Sequence, residues 1–271
     1  MAKITDADRS QYASRIDVFK TTIETILKNE QDTLALIKEN PEEGVLMRLG
    51  LADAMLNLSA HYMIMNGVSQ SVLKVKNEDA LNDARNSLHK AIFYIEGLVT
   101  NLIDAPFSEY EEQLAGIESI SSAQRYLLVR KMGLTVQLLE NAYGDNTKWK
   151  WAFVELEGRY AAVTKNLLDL RTVMSNIDPR SPNYEPTVHH LHLVKKLLMQ
   201  AADRYREKYE LSTNQMDDFK MGILFLSALK RLHTVLGDKD DMVMVKKKLD
   251  IWSAKLESDI KKKEDRTSKK N

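Results

Sequence analysis

Phe153, Leu156, Tyr160, Val163, Leu167, Leu170, Met174 and Ile177 follow one another at steps of three and four residues, alternating without interruption. That rhythm is a helical heptad, and the narrow apolar seam it draws has to be covered by another helix. A second run of the same kind, Leu81, Ala84, Leu88, Ala91, Ile95, Leu98 and Leu102, lies upstream, and Leu191, Val194, Leu198, Ala201 and Tyr205 repeat the spacing downstream. With only 10 Gly and 5 Pro in 271 residues, the chain lacks the turn residues of a hairpin-rich β fold. The expected fold is all-α: an elongated assembly of about nine helices packed as long antiparallel helical hairpins or a bundle.

Breakers place the helices. The first is expected from near Asp6 to Glu39, its stripe drifting from the Ile16/Ile23 line to the Leu27/Leu34 line as on a straight helix. Asn40-Pro41-Glu42-Glu43 reads as a cap opening a second helix that Asn66-Gly67 closes. A third starts near Asn77 and stops before Pro106. Ser108-Glu109-Tyr110-Glu111 reads as a capping box for a short helix, and a leucine-rich helix with Leu127, Leu128, Leu134, Leu138 and Leu139 ends at Gly144. The heptad helix is expected as one rod from Asn146 to Ile177. The loop Asp178–Pro186 then turns the chain back, and two further helices lie on either side of Gly237. The expected organisation is an N-terminal helical bundle over 1–144, C-terminal hairpins over 145–264 and a disordered tail over 265–271.

Charge and composition narrow the functions. Lys plus Arg equals Asp plus Glu at 39 each, so no global field draws the protein to nucleic acid. The absence of cysteine removes disulfides, thiolate metal sites and thiol catalysis. No stretch approaches the ~18 apolar residues of a membrane span, so no membrane insertion is expected, and the start, Met1-Ala2-Lys3-Ile4-Thr5-Asp6, is polar.

Chemistry-bearing motifs are thin. His189-His190-Leu191-His192 has two histidines one turn apart, but zinc needs about four ligands and no local Glu or Cys completes a set. No residue three before a histidine is acidic, which removes the Glu-x-x-His motif of di-iron bundles. Nucleophile-elbow and phosphate-loop motifs are missing. The expectation is no catalytic residue, no cofactor and no metal: a non-enzymatic structural or assembly protein, with a soluble adaptor that binds a peptide or partner helix as the alternative. Met47, Met55, Met63 and Met65 at helical spacing are expected to fill core gaps, and Lys246-Lys247-Lys248 to be a solvated face. Trp149 and Trp151 are two apart and cannot both face the same stripe, so one is expected either to anchor the hairpin end or to sit exposed as a contact, the partly buried helix-end anchor being the more common case. With Arg204 and Tyr209 they are the candidate partner-binding anchors.

As a whole, a cysteine-free chain of long hairpins such as Phe153–Ile177 against Leu191–Tyr205 resembles the flagellar-coiling proteins, which sheathe spirochaete periplasmic flagella. The resemblance implies a non-catalytic component that coats the flagellar filament and shapes its curvature and motility, with filament proteins as partners and assembly into a larger oligomer. Members of that family carry an export signal. The resemblance therefore implies a periplasmic protein whose signal peptide has been removed; without it, the expectation is the cytoplasm.

Overall fold

The computed structural model describes residues 4–40, 44–144 and 149–268. Among the described residues there are ten α-helices and no strand. They are α1 (Asp6–Glu39), α2 (Gly44–Val72), α3 (Glu78–Glu96), α4 (Glu111–Ala115), α5 (Ser122–Tyr143), α6 (Lys150–Asn166), α7 (Leu170–Asn176), α8 (Tyr184–Lys208), α9 (Met216–Leu236) and α10 (Lys239–Ser268). The chain divides into two units, one holding residues 1–100 and 112–150, the other residues 101–111 and 151–271. No helix among the described residues is long and apolar enough to cross a membrane.

In the first unit α2 is the central helix, with α1, α3 and α5 packed on it. α1 opens on a capping box between Thr5 and Asp8, and the box's hydrogen bonds hold the Asp8 carboxyl below its usual pKa. Its buried residues are Ile16, Ile23, Glu30 and Ile37, seven apart throughout. The seam therefore does not drift; Leu27 and Leu34 only flank it, half-buried. Glu30 keeps the line because its carboxylate accepts from Lys90 Nζ at 2.8 and 3.0 Å and from the Tyr94 hydroxyl at 2.6 Å. A sequence pattern scored on apolar residues passes over that position.

Pro41-Glu42-Glu43 lie outside the described residues. α2 does not stop at Asn66-Gly67 but runs on to Val72. Asn66 is 2% exposed, and its side-chain oxygen accepts from Asn77 N at 2.9 Å, so it pins the turn into α3 from inside α2. Asn77 caps α3 by accepting from Ala80 N. α3 ends at Glu96, well before Pro106, and Leu102 falls off the expected seam at 45% exposed. The expected capping box at Ser108 is instead a 3-10 turn, Phe107–Glu109; the box forms at Ser121 and Gln124 and starts α5. Gly144, at φ +80°, ends α5 in a conformation that side chains resist.

In the second unit the expected 146–177 rod is broken. α6 ends at Asn166, and α7 begins after Asp169, whose carboxylate accepts from Arg171 N at 3.1 Å and caps the new helix. That alternative use of an Asp side chain competes with helix continuation. Past the break the seam fails: Met174 is 54% exposed and Val173 is buried in its place. α8 starts earlier than expected, with Pro186 in its first turn, where a missing N–H costs nothing. α8 packs on α9, and α9 on α10. Their contact is aromatic: Tyr205 stacks on Phe225 at 5.7 Å, Tyr209 on Phe219 at 4.9 Å, and Phe219 meets Trp252 at 5.7 Å. α10 carries residues 265–268 of the expected tail as helix, supported by a Lys- and Glu-rich sequence that favours it; 269–271 lie outside the described residues.

Candidate functional site

The residues nominated as anchors fall in different settings. Tyr209 is 6% exposed, stacked on Phe219, with its hydroxyl donating to Asp259 at 2.9 Å; it is a core residue. Arg204 forks onto Glu157 at 2.8 and 3.1 Å and ties α8 to α6. Trp151 packs half-buried on the core of the second unit. Trp149, in the first unit, lies edge-on to Tyr143 and under the Arg85 guanidinium at 4.2 Å. None of the four is a fully exposed side chain.

The histidines separate as well. His190 is buried with Nε2 2.9 Å from Thr164 O, while His189 is exposed beside Glu185 and His192 is exposed. Among the described residues the one group with metal-ligand proximity is His233, Asp238 and Asp241. Its Asp238 carboxylate is held at 2.6 Å by Lys195 Nζ, which is the chief cause of that carboxyl's lowered pKa. The same Asp238 oxygen lies 3.2 Å from His233 Nδ1, so it is shared between the ammonium and the imidazole. Of the methionines, Met55 is fully buried, whereas Met47, Met63 and Met65 are half-buried. Lys248 is no solvated charge: it reaches Asp203 at 2.7 Å and lies 5.0 Å from the Trp252 ring centre.

Two features that the sequence did not single out have functional geometry. The first is the outer face of α5. The helix buries Arg125, Val129, Met132, Thr135, Val136, Leu139 and Tyr143. Arg125 enters the interior, where its guanidinium donates to Ile117 O at 2.8 Å and to Ile120 O at 2.9 Å; Ile117 O also accepts from Ile120 N at 3.0 Å. Leu127, Leu134 and Leu138 are left outside at 58%, 56% and 47% exposed. With Lys131 they follow steps of 4, 3 and 4, the spacing of a seam that meets a helix. Lys131 bonds Asp53 on α2, and Arg130 stands exposed beside it. The five-leucine pattern was visible in the sequence; which leucines face out was not, since Val129, Met132, Val136, Leu139 and Tyr143 form a competing seam at steps of 3, 4, 3 and 4, and that seam is the buried one.

The second feature is a cavity of about 180 Å³ in the second unit. Segment 101–106 and the turn Phe107–Glu109 form one wall. Ala228, Arg231, Leu232 and Val235, one face of α9 at steps of three, one and three, form the other. The α6–α7 break closes it with Lys165, Leu170 and Arg171. Asn166 holds the wall by donating to Leu102 O at 3.0 Å. Its lining is chiefly apolar, with three cationic side chains. Arg231 is paired to Asp104 at 2.7 Å, which raises its pKa, and Arg171 is near Asp169 and Glu111 at 3.3 and 3.7 Å. Lys165 is different. It is 6% exposed, with Nζ 5.1 Å from the Tyr110 ring centre, and among the described residues no carboxylate comes within ion-pair distance of it. Burial pulls its pKa down to about 8, partly opposed by the Asp104 charge and reinforced by Arg231. The same burial pushes the Tyr110 phenol up to about 12. Asp169, four residues on and the natural helical partner of Lys165, is taken by the α7 cap and Arg171.

The family model that matches the chain is that of the TP0443 family, over residues 8–260. No curated protein matches, and no solved structure does.

Proposed function

The chain belongs to the TP0443 family, and from that premise and the surfaces above we propose that it is a non-enzymatic assembly protein that docks a partner through the outer face of α5. The observation that carries this reading is the outer face of α5, where Leu127, Leu134 and Leu138 are presented to solvent although Val129, Met132, Val136 and Leu139 already fill the helix's buried seam. Single exposed leucines need no explanation, but three at helix-packing spacing make a seam. Covering three half-exposed leucines is worth on the order of 3 kcal/mol before ordering costs, enough to stabilise a contact that other residues complete. Arg130, exposed beside the seam, favours a partner helix with an acidic flank.

The occupant is an amphipathic helix of another protein. The resemblance to flagellar-coiling proteins makes subunits of a periplasmic flagellar filament the first partner to test, and a soluble helical partner the second. A photo-crosslinking residue at Leu134, with the exposed Asp32 of α1 as control, tests this in the native cell. The expected product is a crosslink at 134 to an apolar-striped helical segment. Equal labelling from positions 134 and 32 would refute the docking face.

A further inference from the structure

The cavity beneath α9 answers to none of the docking argument. Its volume of about 180 Å³ is close to that of an engineered cavity of ~150 Å³ that holds benzene, so it admits a ligand on the order of ten heavy atoms. Most of its wall is hydrocarbon, supplied by Ile103, Phe107 and Leu170 on one side and Leu232 and Val235 on the other. Bare apolar walls would suit a neutral guest. Lys165 changes the chemistry, because an ammonium that is 6% exposed and has no carboxylate within ion-pair distance among the described residues is costly to hold. The neighbouring Asp104 does not serve it, being taken by Arg231 at 2.7 Å. The cation therefore stands at the wall of an apolar chamber, with Asp104 acting on it only at longer range.

We infer that this cavity is a binding site for a small apolar monocarboxylate, whose hydrocarbon body fills the chamber and whose carboxylate pairs with Lys165. A carboxylate fits better than inorganic phosphate, since Lys165 compensates one charge while the cavity's other cations, Arg231 and Arg171, are already engaged by Asp104, Asp169 and Glu111. The pairing converts an unpaired buried charge into a charge-assisted hydrogen bond, so the ligand gains from a cost the empty protein already bears.

The experiment titrates the full chain with benzoate and with hexanoate, each against the neutral analogues benzyl alcohol and hexanol. Binding is followed by the shifts of Leu and Ile methyl signals around the cavity. Benzoate or hexanoate is expected to bind at least about tenfold more tightly than its alcohol, and the Lys165→Met variant to bring the two to parity. Because that variant can alter folding, the wild-type Lys165 side-chain signal is titrated as well. Bound carboxylate is expected to raise its pKa from about 8, countering the burial that lowers it, while Asp104, Arg231 and Tyr110 remain in place around it. Equal binding of acid and alcohol to the wild type, an unmoved Lys165 titration, or no shift from any of the four compounds would overturn the assignment.

Discussion

Gly158 lies inside α6, where exchanging glycine for alanine normally stabilises a helix by about 1 kcal/mol. The packing reverses that expectation. A Cβ built at 158 meets Tyr205 Cε2 at 2.8 Å and Phe225 Cζ at 3.2 Å. Both rings are buried, and they stack on each other at 5.7 Å, so neither can swing aside without opening the α8–α9 contact. Overpacking of this kind costs about 1–3 kcal/mol, and after the gain in propensity the Gly158→Ala variant should lose on the order of 1 kcal/mol. Gly50 and Gly67 of α2 are internal controls, because a Cβ at either finds no neighbour within 4 Å; there the same exchange should stabilise by roughly 0.5–1 kcal/mol. The two units need not unfold together, so the assay needs a probe inside the second one. Urea titration with fluorotryptophan NMR separates Trp252, 3% exposed in that unit's core, from Trp149 and Trp151. A Gly158→Ala midpoint equal to or above the wild type would refute the close-packing argument.

Three further outcomes follow from named contacts. Glu30→Ala strips the Tyr94 hydroxyl and Lys90 of their acceptor and should cost about 1–3 kcal/mol in the first unit; Glu30→Leu should recover most of it in thermal unfolding while loosening α1 register, read by hydrogen exchange. Tyr209→Phe keeps the stack on Phe219 but removes the hydrogen bond that leads in lowering the Asp259 pKa. A depressed carboxyl contributes stability above its unfolded pKa of about 3.9 and loses it as pH falls through the folded value, so the penalty of about 1 kcal/mol at pH 7 should vanish in acid denaturation. Asp169→Ala removes the α7 cap and one of the carboxylates held by Arg171, and should cost about 1 kcal/mol, detected as a lower midpoint for the Trp252 probe.

Helix existence was legible because apolar spacing and the few breakers agree: Gly144 and Gly237 end helices where they were expected to, both at positive φ. What escaped the sequence is where a polar side chain took over an apolar position or a cap. Glu30 completes the α1 seam only because Tyr94 and Lys90 meet it, and no local pattern contains those partners. Asp169 breaks a heptad that continues unbroken in residue types. Arg125 goes inward to reach two carbonyls and extends the buried seam of α5 that leaves three leucines outside. Lys165 sat between Thr164 and Asn166 in the sequence, with nothing to mark it, and its significance depends on what Asp104 and Asp169 do elsewhere. Each is a side-chain satisfaction of charge or hydrogen bonding, local for Asp169 and Arg125 and long-range for Glu30, which apolar periodicity does not encode.

The docking role of α5 is tested most directly by fractionating native cells that carry either the wild type or Leu134→Lys, with thermal unfolding measured on both purified chains. An exposed change of this kind should move stability by no more than about 0.5 kcal/mol. The account predicts an unchanged melting curve together with a shift of the variant from the partner-bound fraction to the free one. A variant that stays with the partner as the wild type does, or one that leaves it only because the protein has unfolded, would contradict the assignment of that face.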